Sequence, residues 1–254
     1  MWMVRWSGVL VAIVGLLGCQ PSPESYFPLE AGAQWRYVTS GELNFFAGYR
    51  YREEDGGIHR ATASQPIDDI MVDVKAQEAR SIGGRDATPM VTVNQLENGH
   101  SYAFFARDKR GIAEIARQAR GSNDVVPLAE PVYQLRFPLS VGTTWDTRQP
   151  MRVTDSEELM MTGTAQIAAV DAEVTVPAGT FRRCVRIDSE SIGHRTIPHL
   201  NGRDIDGDAE IQVNTSTWLA PGVGTVKHTL RMTLRPESLG SGEQTLELVQ
   251  FKTR

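Results

Sequence analysis

Asp204-Ile205-Asp206-Gly207-Asp208 sets three carboxylates at alternating positions, the spacing with which a calcium loop presents its first ligands. An EF-hand loop then needs glycine at its sixth position and glutamate at its twelfth, and here those places hold Ala209 and Thr215. The motif reads first as a solvated acidic turn, with weak calcium binding through Asp204, Asp206 and Asp208 as the alternative. His194 and His199 lie just upstream and could join a mixed His/Asp transition-metal site, yet their spacing follows no standard zinc pattern. No other cofactor is suggested.

The remaining reactive side chains do not converge. His228 falls on the apolar face of an alternating run, where one hydrogen-bonded partner satisfies it as a core residue; a ligand or base role is the alternative. Cys184 sits between strand positions and reads as a small buried hydrophobe rather than a nucleophile. Asp68-Asp69 and Glu157-Glu158 could serve a glycosidase only if folding brought two carboxylates together. There is no G-x-S-x-G elbow, and Gly222-Val223-Gly224 has no following helix and so forms a turn rather than a phosphate loop. With no nucleophile, base and orienting group in sight, the sequence points to a protein that is not an enzyme.

The thiol with the clearest fate is Cys19. Arg5 supplies one positive charge, Gly8 to Leu17 is an unbroken apolar run, and Leu16-Leu17-Gly18-Cys19 follows, which is the pattern of a secretory signal ending at a cysteine. The run is shorter than the roughly 20 residues that cross a bilayer. Leu16-Leu17-Gly18-Cys19 resembles the lipobox of bacterial lipoproteins. That resemblance implies a diacylglyceryl group on the Cys19 thiol, cleavage of residues 1–18, and acylation, palmitate included, of the new amine. Gln20 in the next position resembles the outer-membrane sorting class, so the expected address is the outer membrane, facing the periplasm. Several acyl chains anchor stably because each buried CH₂ contributes about 0.8 kcal/mol. Gln20 to Ser25, rich in proline and polar residues, then reads as a tether, so 19–26 is taken as lipidated cysteine and spacer.

Composition fits export. The chain carries a formal net charge of −5 with no basic stripe, which argues against nucleic acid and against membrane attraction beyond the lipid itself. Only two cysteines are present, so with Cys19 acylated no intramolecular disulfide is possible and stability rests on a core.

That core is framed by a repeat. Phe27-Pro28-Leu29-Glu30-Ala31-Gly32-Ala33-Gln34-Trp35 returns as Phe137-Pro138-Leu139-Ser140-Val141-Gly142-Thr143-Thr144-Trp145. Proline holds the preceding Phe extended, the glycine suits a tight turn, and Trp opens the strand that follows, so each copy predicts a corner over a hydrophobic core. Beyond the corners the pattern is strand after strand. A pair is expected around Gly41, one long segment from Ile70 to Ser81, a charged-tipped hairpin over 101–116 with a helix over Ile112 to Ala119 as alternative, a loop from Gly121 to Pro131, and two strands between Met160 and Val176. Pro177 and Gly179 make one turn; Trp218 leads into Pro221 and Gly222, which suit a type II turn. Val226, His228, Leu230, Met232 and Leu234 then alternate with charged and hydroxyl residues, one face dry and one wet. The expected fold is all-β, an antiparallel curved sheet or half-barrel, or two packed β modules over 27–135 and 136–254.

The leader, the two corners, V-P-A-G-T-F at 176–181 with Cys184, and W-L-A-P-G-V-G-T-V-K at 218–227 together resemble TapB-like bacterial lipoproteins and related families of unknown function. The resemblance implies a β-rich periplasmic domain similar to the lipoprotein-carrier half-barrels, and no catalytic residues. Three functions follow in order of preference: a non-catalytic lipoprotein that binds an envelope protein partner, a carrier or sensor of a hydrophobic ligand, and an envelope hydrolase or metal-dependent enzyme. Palmitate labelling of cells should mark the protein, and Cys19→Ser should remove the label while leaving the domain folded; an unlabelled native protein would refute the anchor.

Overall fold

The computed structural model of the chain describes residues 21–43, 51–54, 57–60, 65–95, 99–154, 157–197, 207–235 and 240–253. Cys19 and the signal lie outside them, as do His199, Asp204 and Asp206. Among the described residues, a short 3-10 turn at Pro23–Tyr26 is followed by fifteen strands. The first half contains β1 (Gln34–Leu43), β2 (Tyr51–Glu54), β3 (Gly57–Arg60), β4 (Gln65–Ala76), β5 (Arg80–Ile82), β6 (Arg85–Asn94), β7 (Ser101–Asp108), β8 (Gly111–Gln118) and β9 (Val126–Arg136). The second contains β10 (Thr144–Thr154), β11 (Glu157–Val176), β12 (Gly179–Ile197), β13 (Gly207–Ala220), β14 (Gly224–Arg235) and β15 (Ser241–Lys252).

All but the β2–β3 hairpin belong to one antiparallel sheet that is nearly closed into a barrel, in the order β10-β11-β12-β13-β14-β15-β1-β4-β6-β7-β8-β9, with β5 paired to β6. The all-β curved sheet expected from the sequence is therefore what forms. The chain lays it down as two meanders of six strands each, β1-β4-β6-β7-β8-β9 and β10 to β15, and each meander is opened by one F-P-L corner. The position 135/136 falls at the junction of the meanders, and the two halves meet within the sheet where β1 pairs β15.

The corners are the same device built twice. Gly32 and Gly142 both have φ of 88°, a left-handed value that favours glycine. Gly32 N donates to Ala76 O, Ala76 N to Ala33 O, and Ala33 N to Glu30 O. In the second corner Gly142 N donates to Ile167 O, Ile167 N to Thr143 O, and Thr143 N to Ser140 O. Trp35 then pairs with Val74 and Trp145 with Ala165, in each case two residues before the strand position the turn has latched. Both indoles are buried, and each donates to a distant carbonyl: Trp35 Nε1 to Val223 O at 2.6 Å and Trp145 Nε1 to Tyr133 O at 3.1 Å. The corners differ in their prolines, since Phe137–Pro138 is cis and exposed whereas Pro28 is buried against Gly224.

The edge strands β9 and β10 face one another without a ladder between them. Side chains bridge the seam: Trp145 reaches Tyr133 O, and Arg117, paired with buried Glu114, donates to Pro150 O at 3.1 Å. Prolines 127 and 131 of β9 and Pro150 of β10 lack the N–H that a ladder would use, which a strand tolerates at an edge.

Several local expectations are corrected. Gly41 makes no turn; β1 runs through it with a register shift, φ is 133°, and a Cβ there would lie 2.2 Å from Glu243 O, so glycine serves a bulge. The charged-tipped hairpin, by contrast, forms as expected: β7 pairs β8, and Ile112 to Gln118 are strand despite their helical propensity because Ile112 to Ala116 are buried on both faces. The loop expected to Pro131 ends at Val126, since edge position excuses the prolines. Met160 to Val176 is one strand with three register shifts rather than two strands. The segment to Ser81 breaks after Ala76, where β5 turns back through Gly83 and Gly84 onto β6.

One core cluster gathers Phe105, Ile112, Leu135, Trp145, Ile167, Val185 and Leu219 from both meanders around Tyr26, with Phe27 and Leu29 packed on it. A second holds Trp35, Tyr37, Cys184, Val226 and Leu248, and a third Met161, Ile211, Val213, Met232 and Leu234. Trp35→Phe strips the buried Val223 carbonyl of its donor, a loss of about 1–3 kcal/mol. Denaturant unfolding should register a larger drop for Trp35→Phe than for Trp145→Phe, whose bond is part-buried; equal effects would contradict this account of the corners.

Candidate functional site

The inner face of the second meander can be read strand by strand. Alternation places Val185, Ile187, Ser189 and Ser191 of β12 on one face. Their partners Leu219, Thr217, Thr215 and Val213 of β13 share it, and these in turn oppose His228, Leu230 and Met232 of β14. The face is apolar at both ends and hydroxyl-rich in the middle. A cavity of about 330 Å³ opens over that middle, walled by these residues other than Val185 and Met232, by Val132, Tyr133 and Gln134 of β9, by Trp145, Thr147 and Met151 of β10, and by Met161 and Ala165 of β11.

The amino-terminal segment supplies another wall. It is held on one side by Gly222 N donating to Ser25 O at 2.8 Å and Tyr26 Oη donating to Arg183 O at 2.9 Å. On the other side the Phe27 ring lies 5.1 Å from that of Phe105, and Thr88 Oγ1 donates to Leu29 O at 3.1 Å. The segment thus crosses from β12–β14 to β6–β7, and Phe27 lines the cavity. Arg183, whose carbonyl receives Tyr26, is a non-glycine residue with positive φ, 55°, among the described residues.

Within the cavity two pairs of polar side chains bond each other. Ser189 Oγ and Thr215 Oγ1 lie 2.7 Å apart, and Thr217 Oγ1 lies 2.8 Å from His228 Nδ1. No Asp, Glu, Lys or Arg among the described residues lines the space. Burial pushes the His228 imidazole down to about 4, so it is neutral around pH 7.

The outer face carries the charge. Lys227 pairs with Glu247 at 2.7 Å, and Arg36 with Asp73 at 2.7 Å. A groove of about 570 Å³ lies between Lys75, His100, Tyr102 and Lys252, its lining mixing charged and polar residues with Trp35, Val74, Val91, Val93 and Phe251.

The structure sorts the residues singled out by sequence. His228 does lie on the inner face, and it also borders the cavity. Cys184 is fully buried in the second cluster, and burial raises its thiol to about 11. Asp208 stands at the start of β13 and accepts from Thr196 Oγ1 at 3.3 Å. Its calcium partners Asp204 and Asp206 fall outside the described residues, and among those described no three His, Cys, Asp or Glu side chains gather. His194 is exposed on β12. The side chains of the pairs Asp68-Asp69 and Glu157-Glu158 lie outside the described residues, although their backbone belongs to β4 and β11. Pro177 occupies the β11–β12 turn beside Gly179, Trp218 is half-buried against the second cluster, and Pro221-Gly222 forms the β13–β14 turn with Val223 N donating to Ala220 O at 3.2 Å.

Ser189, Ser191, Thr215 and Thr217 were not singled out by sequence. Their signal was present: Val185, Ile187, Ser189 and Ser191 alternate with polar neighbours, and the shift from apolar to hydroxyl along one face marks where the interior turns polar.

No family model and no curated protein matches the chain. Two solved structures resemble it. One is a Bacteroides fragilis protein of YmcC-like fold assigned as exported, 12% identical, with a TM-score of 0.42 over 89% of this chain and 98% of that one. The other is a Parabacteroides distasonis protein assigned as a lipoprotein, 13% identical, with the same score and coverage.

A depressed imidazole makes stability depend on pH. The unfolded chain takes up the proton near 6.5 while the folded one resists it to about 4, so the unfolded state binds more protons in that window. Stability should therefore fall as pH drops from 6.5 towards 4, by up to about 1.4 kcal/mol per pH unit for one proton. His228→Gln should flatten that part of the profile relative to wild type in denaturant titrations; parallel profiles would show that His228 titrates normally.

Proposed function

We propose that this chain is an exported, lipid-anchored envelope protein without a catalytic role, which holds a hydrophobic or amphipathic small ligand in the hollow of its curved sheet. The observation that carries the reading is the cavity of about 330 Å³ on the inner face, at the small end of the range of ligand pockets and walled by apolar side chains together with convergent polar groups. Sequence alone ranks an envelope protein partner ahead of such a ligand; the hollow reverses that order. The anchor rests on the pattern around Cys19, and the outer-membrane address on Gln20.

A hydrolase reading draws less support. Ser189 and Thr215 are engaged with each other, and His228 has no carboxylate among its described partners to orient it as a base. Calcium at the 204–208 turn has no role in this reading.

The test uses Cys19→Ser protein freed of its leader, titrated with the small neutral fluorophore 1-naphthylamine, which the cavity is large enough to hold. Saturable fluorescence enhancement at one site is expected. Thr147→Phe, which extends a ring into the cavity from the edge strand, should weaken binding about tenfold, or about 1.4 kcal/mol, with the thermal midpoint little changed. Absence of saturable binding, or binding indifferent to Thr147→Phe in a folded variant, would overturn the reading.

A further inference from the structure

The lining also constrains the ligand's chemistry, an argument that rests on the reading just given. Ionised groups are absent from the cavity wall among the described residues, and of its two titratable rings His228 is paired with Thr217 while the Tyr133 hydroxyl donates to Asp108. A carboxylate, phosphate or ammonium placed there would lose its hydration without gaining a counter-ion, which is far costlier than burying a hydroxyl that finds a partner. The wall has partners for a neutral group. Each hydroxyl can donate once and accept twice, so the Ser189–Thr215 pair at 2.7 Å and the Thr217–His228 pair at 2.8 Å both retain unused capacity after bonding each other. These pairs occupy neighbouring positions across β12, β13 and β14, and apolar side chains flank them: Leu219 and Trp145 towards one end, Met161 and Val213 towards the other. At about 30 Å³ per small group, 330 Å³ accommodates about a dozen non-hydrogen atoms, a single short chain rather than a two-chain lipid.

We infer that the cavity selects an uncharged single-chain amphipath, its hydroxyl or ester group seated on the Ser189, Thr215, Thr217 and His228 belt and its chain laid along the apolar flank. The binding group is the belt, and the specificity comes from the lack of a counter-charge. An alcohol or ester fits this site, whereas a fatty acid anion of equal length does not.

Displacement of bound 1-naphthylamine by decanol, decanoate and decylammonium at neutral pH tests this, because the three share a chain and differ in charge. Decanol should displace the probe at a concentration at least about tenfold below either ion, equivalent to about 1.4 kcal/mol. Thr217→Val, nearly the same shape without the hydroxyl, should weaken decanol severalfold relative to the probe, whose own affinity is measured in each variant; Ser189→Ala should do likewise. If decanoate or decylammonium displaces the probe as well as decanol does, or if both variants bind decanol like wild type, the selection for a neutral group is wrong while the ligand-holding function stands. If the probe itself never binds, that function fails and this inference with it.

Discussion

The pairing of β1 with β15, which sets Trp35 opposite Phe251 and Gln34 opposite Lys252, joins the two ends of the described chain in the middle of the sheet. Without it the two meanders would be separate curved sheets, each with two free edges. With it they share one sheet, and the only edges left on its main path are β9 and β10, which the chain itself connects through the second corner. The hollow draws its walls from both meanders: Val132, Tyr133 and Gln134 from one, Trp145, Ile187 and Leu219 from the other. The first corner positions β1 for that pairing by latching Gly32 and Ala33 to the end of β4 and sending the indole of Trp35 to Val223 at the far turn of β14's hairpin. A contact so distant in sequence is slow to find and loses much chain entropy, which is offset by the burial of two large aromatic rings at the corners and the aliphatic clusters beneath them.

The seam shows how the remaining edges are kept from pairing elsewhere. A free strand edge is a template for aggregation, and proteins blunt it with proline, charge and covering side chains. All three appear here. Pro127 and Pro131 interrupt β9, Pro150 interrupts β10, and Arg117 crosses the gap carrying buried Glu114 with it. Each interruption that prevents a regular ladder between β9 and β10 also prevents a foreign strand from docking, so near-closure is the arrangement these residues favour over full closure.

Much of the fold was legible because its signals are local. The corners, the alternation of Val226 to Leu234, and the proline–glycine turns at 177–179 and 221–222 state their geometry through φ restrictions and period-two patterning that need no partner strand. The misjudged segments are those whose geometry is set by a neighbour. Gly41 looks like a turn until β15 is seen to pass within 2.2 Å of where a side chain would stand. Ile112 to Gln118, rightly read as a hairpin strand, left a helix open as the alternative for the same reason, since burial between β7 and β9 is what decides it. Prolines in β9 read as loop because edge position is a property of the sheet, not of the segment. The candidate site was less legible still: serine and threonine have no charge or rarity to draw notice, and Ser189, Thr215, Thr217 and His228 come together only once the β12–β13–β14 register is fixed.

That register also explains how a polar belt survives in the interior of a protein with no disulfide available to the described residues. An unpaired buried hydroxyl would cost about 1–3 kcal/mol. Antiparallel pairing opposes Ser189 to Thr215 and Thr217 to His228, so each polar side chain finds its partner directly across the strand, and the belt is self-satisfied before any ligand arrives. A shift of β13 by one residue would turn Thr215 and Thr217 outward and bring Asn214 and Ser216 in, breaking both pairs together with the apolar clusters at either end. The hydroxyls therefore help specify the register that creates the hollow, and the same pairs, each with a donor or acceptor to spare, are what the hollow offers to an occupant.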